Sequence, residues 1–287
     1  MDLVTVACQR DIQDLLLQAH SIDKFIDRPC RHWITVEDES LTPEEWHGLL
    51  LPYYQRHTLY LTFSKRPNLY YDTPFTLGYR RQQVLKLHAA ANVDSDTCLV
   101  LDCKNFFIKP VDLNLWPYKN GNGRYTILAE EPEDFFPRQW INHIHSVTNL
   151  KIPEKFPTRL ATPFACTKKY AKAAVEHPWF ERLFFHEPCI PMTEMFYYYF
   201  FVPFDELDEP SYNVGGALSF LDNPNDIEKH IDVAKCQLTH GLHRRARKEM
   251  TQSNKEIYAN WLITIGLNKT LVENYVFYEM TDTTWGT

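Results

Sequence analysis

The chain has 287 residues, 44% of them hydrophobic and 14% aromatic, with a formal charge of −7. That composition excludes disorder, and the negative balance gives no general affinity for nucleic acid or anionic lipid. Its seven cysteines form no CxxC pair and no zinc-ribbon spacing, so they are expected as free thiols packed like small hydrophobes.

The opening "MDLVTVACQRD" has no basic leader region and turns strand-like at once. No apolar run approaches the ~20 residues of a membrane span, and "MFYYYFFVPF" is short and holds a proline. The expectation is a cytoplasmic protein of a reducing compartment, without leader or transmembrane segment.

"LVTVAC" (3–8) predicts a first strand, and Ile12, Leu15, Leu16 and Ala19 predict a helix from Asp11 to Phe25. "HWITVED" (32–38) predicts a second strand that ends in acids. Thr42, Pro43 and Glu45 form a capping-box pattern that opens a helix running to Arg56. "LYLTF" (59–63) is a third strand, 73–93 a helix with Val84, Leu87, His88 and Ala91 at helical spacing, and "TCLVLD" (97–102) a fourth strand. Strands alternating with helices predict a mainly parallel sheet covered on both faces, with ligands at the carboxyl ends of the strands. That places 7–11, Glu37–Asp38 and Asp102–Lys104 on one rim.

Beyond it, "YTILAEE" (125–131) predicts a strand, and 140–150, 168–177 and "IYANWLITIGL" (257–267) predict helices. The proline- and aromatic-rich stretch 186–225 is expected as loops forming a binding surface. No repeat or linker divides the chain, so residues 1–287 are expected to form a single domain.

Several common sites are absent. Glycine occurs nine times, the only GxG is Gly121-Asn122-Gly123 before a strand, and neither GxxxxGK[ST] nor GxSxG occurs. Asp94-Ser95-Asp96 has the form of a metal-binding pair, but it precedes its strand and so belongs on the opposite rim, where it makes a turn. Asp102 follows the strand and is placed to act. The run from His243 to Lys248 is read as one face of a solvated helix.

Residues 78–113, "GYRRQQVLKLHAAANVDSDTCLVLDCKNFFIKPVDL", resemble the GT-A-like glycosyltransferases, most closely a branch in which a QQxLKL helix precedes LDx[DK]N. "LATPFACTKKYAKAAVEH", "TEMFYYYFF" and "LTHGLHRRARKE" resemble later blocks of that family. The resemblance implies a GT-A-like α/β fold, with residues 1–113 as the nucleotide-sugar half and 114–287 as the acceptor side. It also implies transfer of a sugar from a nucleotide-sugar donor to a hydroxyl of a glycan or small acceptor, in glycan or polysaccharide synthesis.

Such transfer requires the departing diphosphate to be neutralised, by a metal on carboxylates or by fixed cations. Lys104 stands where the family's second metal-binding acid would be, so transfer is expected without a divalent cation. If Mn2+ or Mg2+ is used, Asp102 and His240 are the candidate ligands. The donor is expected to meet Cys8, Asp11, Glu37, Asp38, Gln83, Lys86, Asp102, Lys104, His240 and His243. Glu194, entering an aromatic segment that would stack on sugars, is the candidate acceptor base, with Glu130 and Glu131 next. Each has a plainer reading: a Lys104–Asp102 surface pair, a solvent-facing stripe at Gln83 and Lys86, a helix-start acid at Glu194, surface histidines at 240 and 243. The rival function is a non-catalytic nucleotide- or sugar-binding module on the same fold. A nucleotidyltransferase would need a glycine-rich first loop, which "ACQRDIQD" lacks.

Overall fold

A computed structural model describes residues 1–37, 41–64, 74–116, 119–120, 125–127, 136–157, 162–185, 193–207 and 226–277. Its elements in chain order begin with β1 (Asp2–Ala7), α1 (Ile12–Phe25), β2 (Arg31–Val36), α2 (Pro43–Leu50), β3 (Thr58–Phe63), α3 (Pro74–Asn92) and β4 (Thr97–Asp102). There follow β5 (Phe106–Phe107), β6 (Tyr125–Ile127), α4 (Phe136–Thr148), β7 (Lys155–Pro157), β8 (Phe164–Thr167), α5 (Lys168–Glu176), α6 (Phe180–Phe185) and α7 (Glu194–Tyr199). The chain continues through α8 (Ile227–Lys235), β9 (Thr239–His240), α9 (Arg244–Glu249), α10 (Gln252–Thr264) and α11 (Lys269–Phe277).

The first four strands form as expected. They make a five-stranded sheet in the order β3-β2-β1-β4-β8, parallel except for the antiparallel edge strand β8. This is a mixed α/β architecture with a mostly parallel central sheet flanked by helices. The capping box at Thr42 forms, with Thr42 N–H donating to Glu45 at 2.7 Å and Glu45 N–H donating to Thr42 Oγ1 at 3.2 Å. The helix it opens stops at Leu50, not Arg56, because Pro52 cannot donate to the helical ladder; a single 3₁₀ turn, Leu51–Tyr53, replaces it.

The period-2 alternation of the strands divides the interior in two. Leu3, Ala7, Ile34, Val36, Leu99 and Leu101 pack beneath α1, α2, α8, α10 and α11. Val4, Cys98 and Val100 pack on the other face beneath α3 to α7. The C-terminal helices therefore return to α1: Arg247 of α9 is buried against Asp14 of α1 at 2.6 Å, and Leu242 N–H donates to Tyr275 of α11 at 2.9 Å.

The aromatic stretch corrects one expectation. Residues 193–207, the described part of the supposed binding loops, are largely core. Met195, Phe196, Tyr197, Tyr198 and Tyr199 of α7 are all buried, with rings edge-on to Phe164 and Trp140 and stacked on Phe180. A short helix apolar on every side has no face to offer solvent, and these rings close the second core instead of stacking on a sugar. Among the described residues, six cysteines are free thiols, and no helix is long and apolar enough to cross a membrane.

Candidate functional site

In the sheet, β1 leads away to β2 on one side while β4 lies against its other side, so the connections diverge between β1 and β4. In open parallel sheets the crevice at that divergence, outside the carboxyl ends, is where ligands bind. The register pairs Val6 with Asp102, which brings the loop after β1 and the turn after β4 side by side.

The turn is fixed from several directions. Asn105 N–H donates to the Asp102 carbonyl at 2.9 Å, and Asp102 N–H donates to Asn105 Oδ1 at 2.8 Å. Gln18 of α1 donates to the carbonyls of Asp102 and Asn105, at 2.8 and 2.6 Å. The Cys103 thiol turns inward and donates to the Val6 carbonyl at 3.2 Å. On the outer side Gly241 rests on the turn so closely that a Cβ there would lie 2.0 Å from the Lys104 carbonyl oxygen. Only glycine permits that approach. In "LDCKN" the cysteine and asparagine thus anchor the backbone, while the Asp102 and Lys104 side chains pair at the carboxyl end of β4, each partly exposed.

There the charges alternate. Lys104 Nζ lies 2.8 Å from Asp102 Oδ2, Lys86 Nζ lies 2.5 Å from Oδ1, and Lys86 Nζ is 3.3 Å from Glu194 Oε1. Side-chain exposure falls along this chain from 22% at Lys104 and 19% at Asp102 to 4% at Lys86 and 2% at Glu194. Burial disfavours the Asp102 carboxylate, but Lys104 and Lys86 outweigh it and hold its pKa well below the usual range. Burial likewise opposes the charge on Lys86, and Asp102 with Glu194 overcomes it, raising that pKa. Glu194 shifts the other way: burial raises its pKa, Lys86 offsets part of this, and Asp102 adds to it. Its N–H donates to Gln83 Oε1 at 3.2 Å, while its carboxylate faces the Lys86 ammonium at 3.3 Å.

Gln83 and Lys86 therefore face inward and hold Glu194 and Asp102; they form neither a solvent stripe nor an open donor surface. Glu194, expected on an open acceptor wall, lies beneath Lys86. On the β1 side, the Cys8 thiol and N–H both donate to Asp11 Oδ2, at 2.9 and 3.2 Å, and Asp11 Oδ1 pairs with Arg244 at 2.5 Å. Burial and the Asp11 carboxylate push the Cys8 thiol pKa up, so it stays neutral. Glu37 is tied to α3 by Arg81, which donates to its carbonyl at 2.7 Å. His243 caps α9, its Nδ1 accepting from Arg245 N–H at 3.2 Å. Burial first, then Lys104, Arg244 and Arg247, lower its pKa, which places it beside the cationic rim.

His240 corrects another expectation. It is enclosed by Phe106, Tyr258 and Trp261 at ring distances of 5.9, 5.7 and 5.4 Å and is 1% exposed, so it meets neither donor nor metal on the rim. The basic run is not a purely solvated face either: Arg244 and Arg247 turn inward to Asp11 and Asp14, while Arg245 remains outside with Glu249. Asp38, Glu130 and Glu131 lie outside the described residues. Sequence reasoning missed Gln18, Cys103, Asn105 and Gly241. An isolated glycine inside "LTHGLH" was the available signal of close backbone approach.

Asp102, the candidate metal ligand on this rim, is already taken up by cations. Each Asp102 oxygen already faces an ammonium group, and a protonated lysine contributes no ligand. Among the described residues no three His, Cys, Asp or Glu side chains converge. Fold and site together define an α/β protein with a mostly parallel sheet and an alternating lysine–carboxylate cluster at the carboxyl ends of β1 and β4. No protein-family model and no curated protein match the chain. Among solved structures it is similar to the apo-form glycosyltransferase GlyE of Streptococcus pneumoniae, at 12% identity and a TM-score of 0.46. The match covers 96% of this chain and 62% of that one, so this chain spans less than two thirds of its length.

Proposed function

We propose that the chain is a glycosyltransferase of GT-A type that binds a nucleotide sugar between the carboxyl ends of β1 and β4 and works without a divalent metal. The observation that carries this reading is the Lys86–Asp102–Lys104 cluster at the sheet's crevice. Lys104 is the outermost charge, on a turn held rigid from behind. A cation positioned before the reaction needs no reorganisation as charge develops on the departing diphosphate. Support also comes from the resemblance of residues 78–113 to the family's donor-binding block.

In this reading the acceptor hydroxyl attacks the anomeric carbon and the bond to the diphosphate oxygen breaks. The leaving nucleoside diphosphate keeps the electron pair, and the hydroxyl proton passes to a base. Lys104 meets the developing negative charge, and Asp102 orients Lys104. Lys86 holds Asp102 from within, and Glu194 acts as second counter-ion to Lys86. A counter-ion is a positioning role, distinct from the acceptor base expected there. Replacing Glu194 with Gln separates the two. Loss of a base should cost at least ~100-fold in turnover with donor affinity unchanged, whereas loss of the counter-ion should alter donor affinity.

The test is transfer from a panel of nucleotide sugars, with and without exhaustive EDTA treatment, beside thermal shifts with nucleoside diphosphates. A bound diphosphate at 100 times its dissociation constant should stabilise the fold by about 2.7 kcal/mol. Transfer that survives EDTA supports the reading; transfer abolished by EDTA and restored by manganese overturns its metal-free part. Binding with neither transfer nor sugar-nucleotide hydrolysis would make the chain a non-catalytic nucleotide-binding module, which the saturated Asp102 carboxylate also allows.

A further inference from the structure

Behind the turn that carries Asp102 and Lys104 runs a line of buried polar groups. Tyr54 OH lies 2.5 Å from His32 Nδ1, His32 Nε2 lies 2.9 Å from Thr5 Oγ1, and Thr5 Oγ1 lies 2.9 Å from Gln18 Oε1. Gln18 Nε2 then reaches the Asp102 and Asn105 carbonyls at 2.8 and 2.6 Å. Thr5, Gln18 and His32 are fully buried and Tyr54 is 6% exposed.

The position of every hydrogen follows from the end of the line. Carbonyl oxygens only accept, so the Gln18 group facing them must be the NH2, and its Oε1 must face Thr5. Thr5 has one hydroxyl hydrogen, which goes to Gln18, so toward His32 it accepts and His32 carries its proton on Nε2. Complete burial, assisted by His57, lowers the His32 pKa to about 3 and keeps the ring neutral. Nδ1 is then bare, and Tyr54 donates to it.

We propose that this one-way chain, Tyr54 to His32 to Thr5 to Gln18, is what positions the Asp102–Asn105 turn, with Gln18 the positioning residue of the anion site. The inference rests on the proposed use of that turn to bind a diphosphate. It explains why a buried glutamine, histidine and threonine lie in line beneath this turn. Reversing any link would point an acceptor at an acceptor, so the chain has a single hydrogen-bonded state and the turn a single position.

Gln18→Met keeps the volume and removes both donated bonds; it should weaken binding of uridine or guanosine diphosphate by roughly tenfold. Tyr54→Phe removes one hydroxyl at the far end of the chain. It should weaken binding a few-fold and move the backbone amide resonances of Cys103 and Lys104. The double variant should bind no more weakly than Gln18→Met alone, because residues acting through one network are not additive. Two results stand whether or not a nucleotide binds: the His32 ring nitrogens in 15N spectra, and the turn's amide shifts in Tyr54→Phe. A neutral His32 protonated on Nε2, with shifts that move, supports the chain. A His32 protonated on Nδ1, unmoved turn amides, or additive losses in the double variant would overturn it. A wild-type protein that shows the tautomer and the shifts but binds neither diphosphate would overturn the proposed function and leave the chain standing.

Discussion

At the amino end of the sheet, Arg31 pairs with Asp2 at 3.0 Å and Asp94 at 2.9 Å, while the N–H groups of Asp94 and Ser95 both donate to Asp2 at 3.2 Å. At the carboxyl end, Asp102 lies between Lys104 and Lys86, with Glu194 behind. Both clusters join aspartates to cations, and the aspartate-x-aspartate motif that looks most like a site belongs to the first. The amino-end groups close a turn on itself: Asp2 takes three bonds from the 94–95 turn, and Arg31 is 36% exposed. The carboxyl-end cluster continues from the surface into the core and carries its outermost cation toward the crevice. Strand direction, more than residue type, separates a structural cluster from a candidate site.

The largest effect that could break this comparison is removal of Lys86. Lys86→Met strands the buried Glu194 carboxylate and leaves Asp102 with Lys104 alone, and should cost about 3–5 kcal/mol of stability by urea denaturation, as for other broken buried pairs. Arg31→Met at the opposite end should cost about 1 kcal/mol or less, since its pairs are partly exposed. Equal losses at the two ends would erase the distinction.

Next is Lys104→Ala. Stability should change by less than about 1 kcal/mol. Nucleoside diphosphate affinity, measured by calorimetry, should fall about 10- to 100-fold, the range for losing a hydrogen bond to a charged group. Unchanged affinity would remove Lys104 from the site.

A smaller effect concerns pH. The Asp102 pKa is depressed in the fold, so its stabilisation is present above the ordinary carboxylate range and is lost as pH falls through the folded value. Glu194 is raised, so its contribution is present below its ordinary value and is lost as pH rises through the folded value. Glu194→Gln should therefore abolish a decline in stability on the alkaline side while leaving the acid-side loss intact. Urea midpoints across about pH 2 to 8 decide it, and an unaltered decline in the variant counts against the assignment. The smallest effect is Asp94→Asn, which should shift stability by no more than about 0.5 kcal/mol and leave diphosphate binding unchanged.

Hydrophobic periodicity and cap residues made the four parallel strands and their helices legible, because alternation and capping are local. Strand direction then placed Asp102 at the carboxyl end of β4 and Asp94 at the opposite end. Burial was harder to read. Gln83, Lys86 and Glu194 have the composition of surface residues, and only three-dimensional contact turns them inward, where each carries part of another's charge or hydrogen bonding. The aromatic run of α7 misled for the opposite reason: its composition suits a sugar-stacking wall as well as a core, and only its enclosure by α4, α6 and β8 decides. Nor does any local pattern link His240 to Phe106, since that pairing of β9 with β5 spans almost half of the chain.

The return of the last helices to α1 bears on how the protein is made. Asp14 receives its buried partner, Arg247, from 233 positions later in the chain. At a synthesis rate of about 5–20 residues per second, that charge waits roughly ten to fifty seconds after it leaves the ribosome before the pair can form. During that interval the first strand and helix have an uncovered apolar face and an unmatched carboxylate. That face is covered only once α9 to α11 have been made, so the first core is completed late in synthesis.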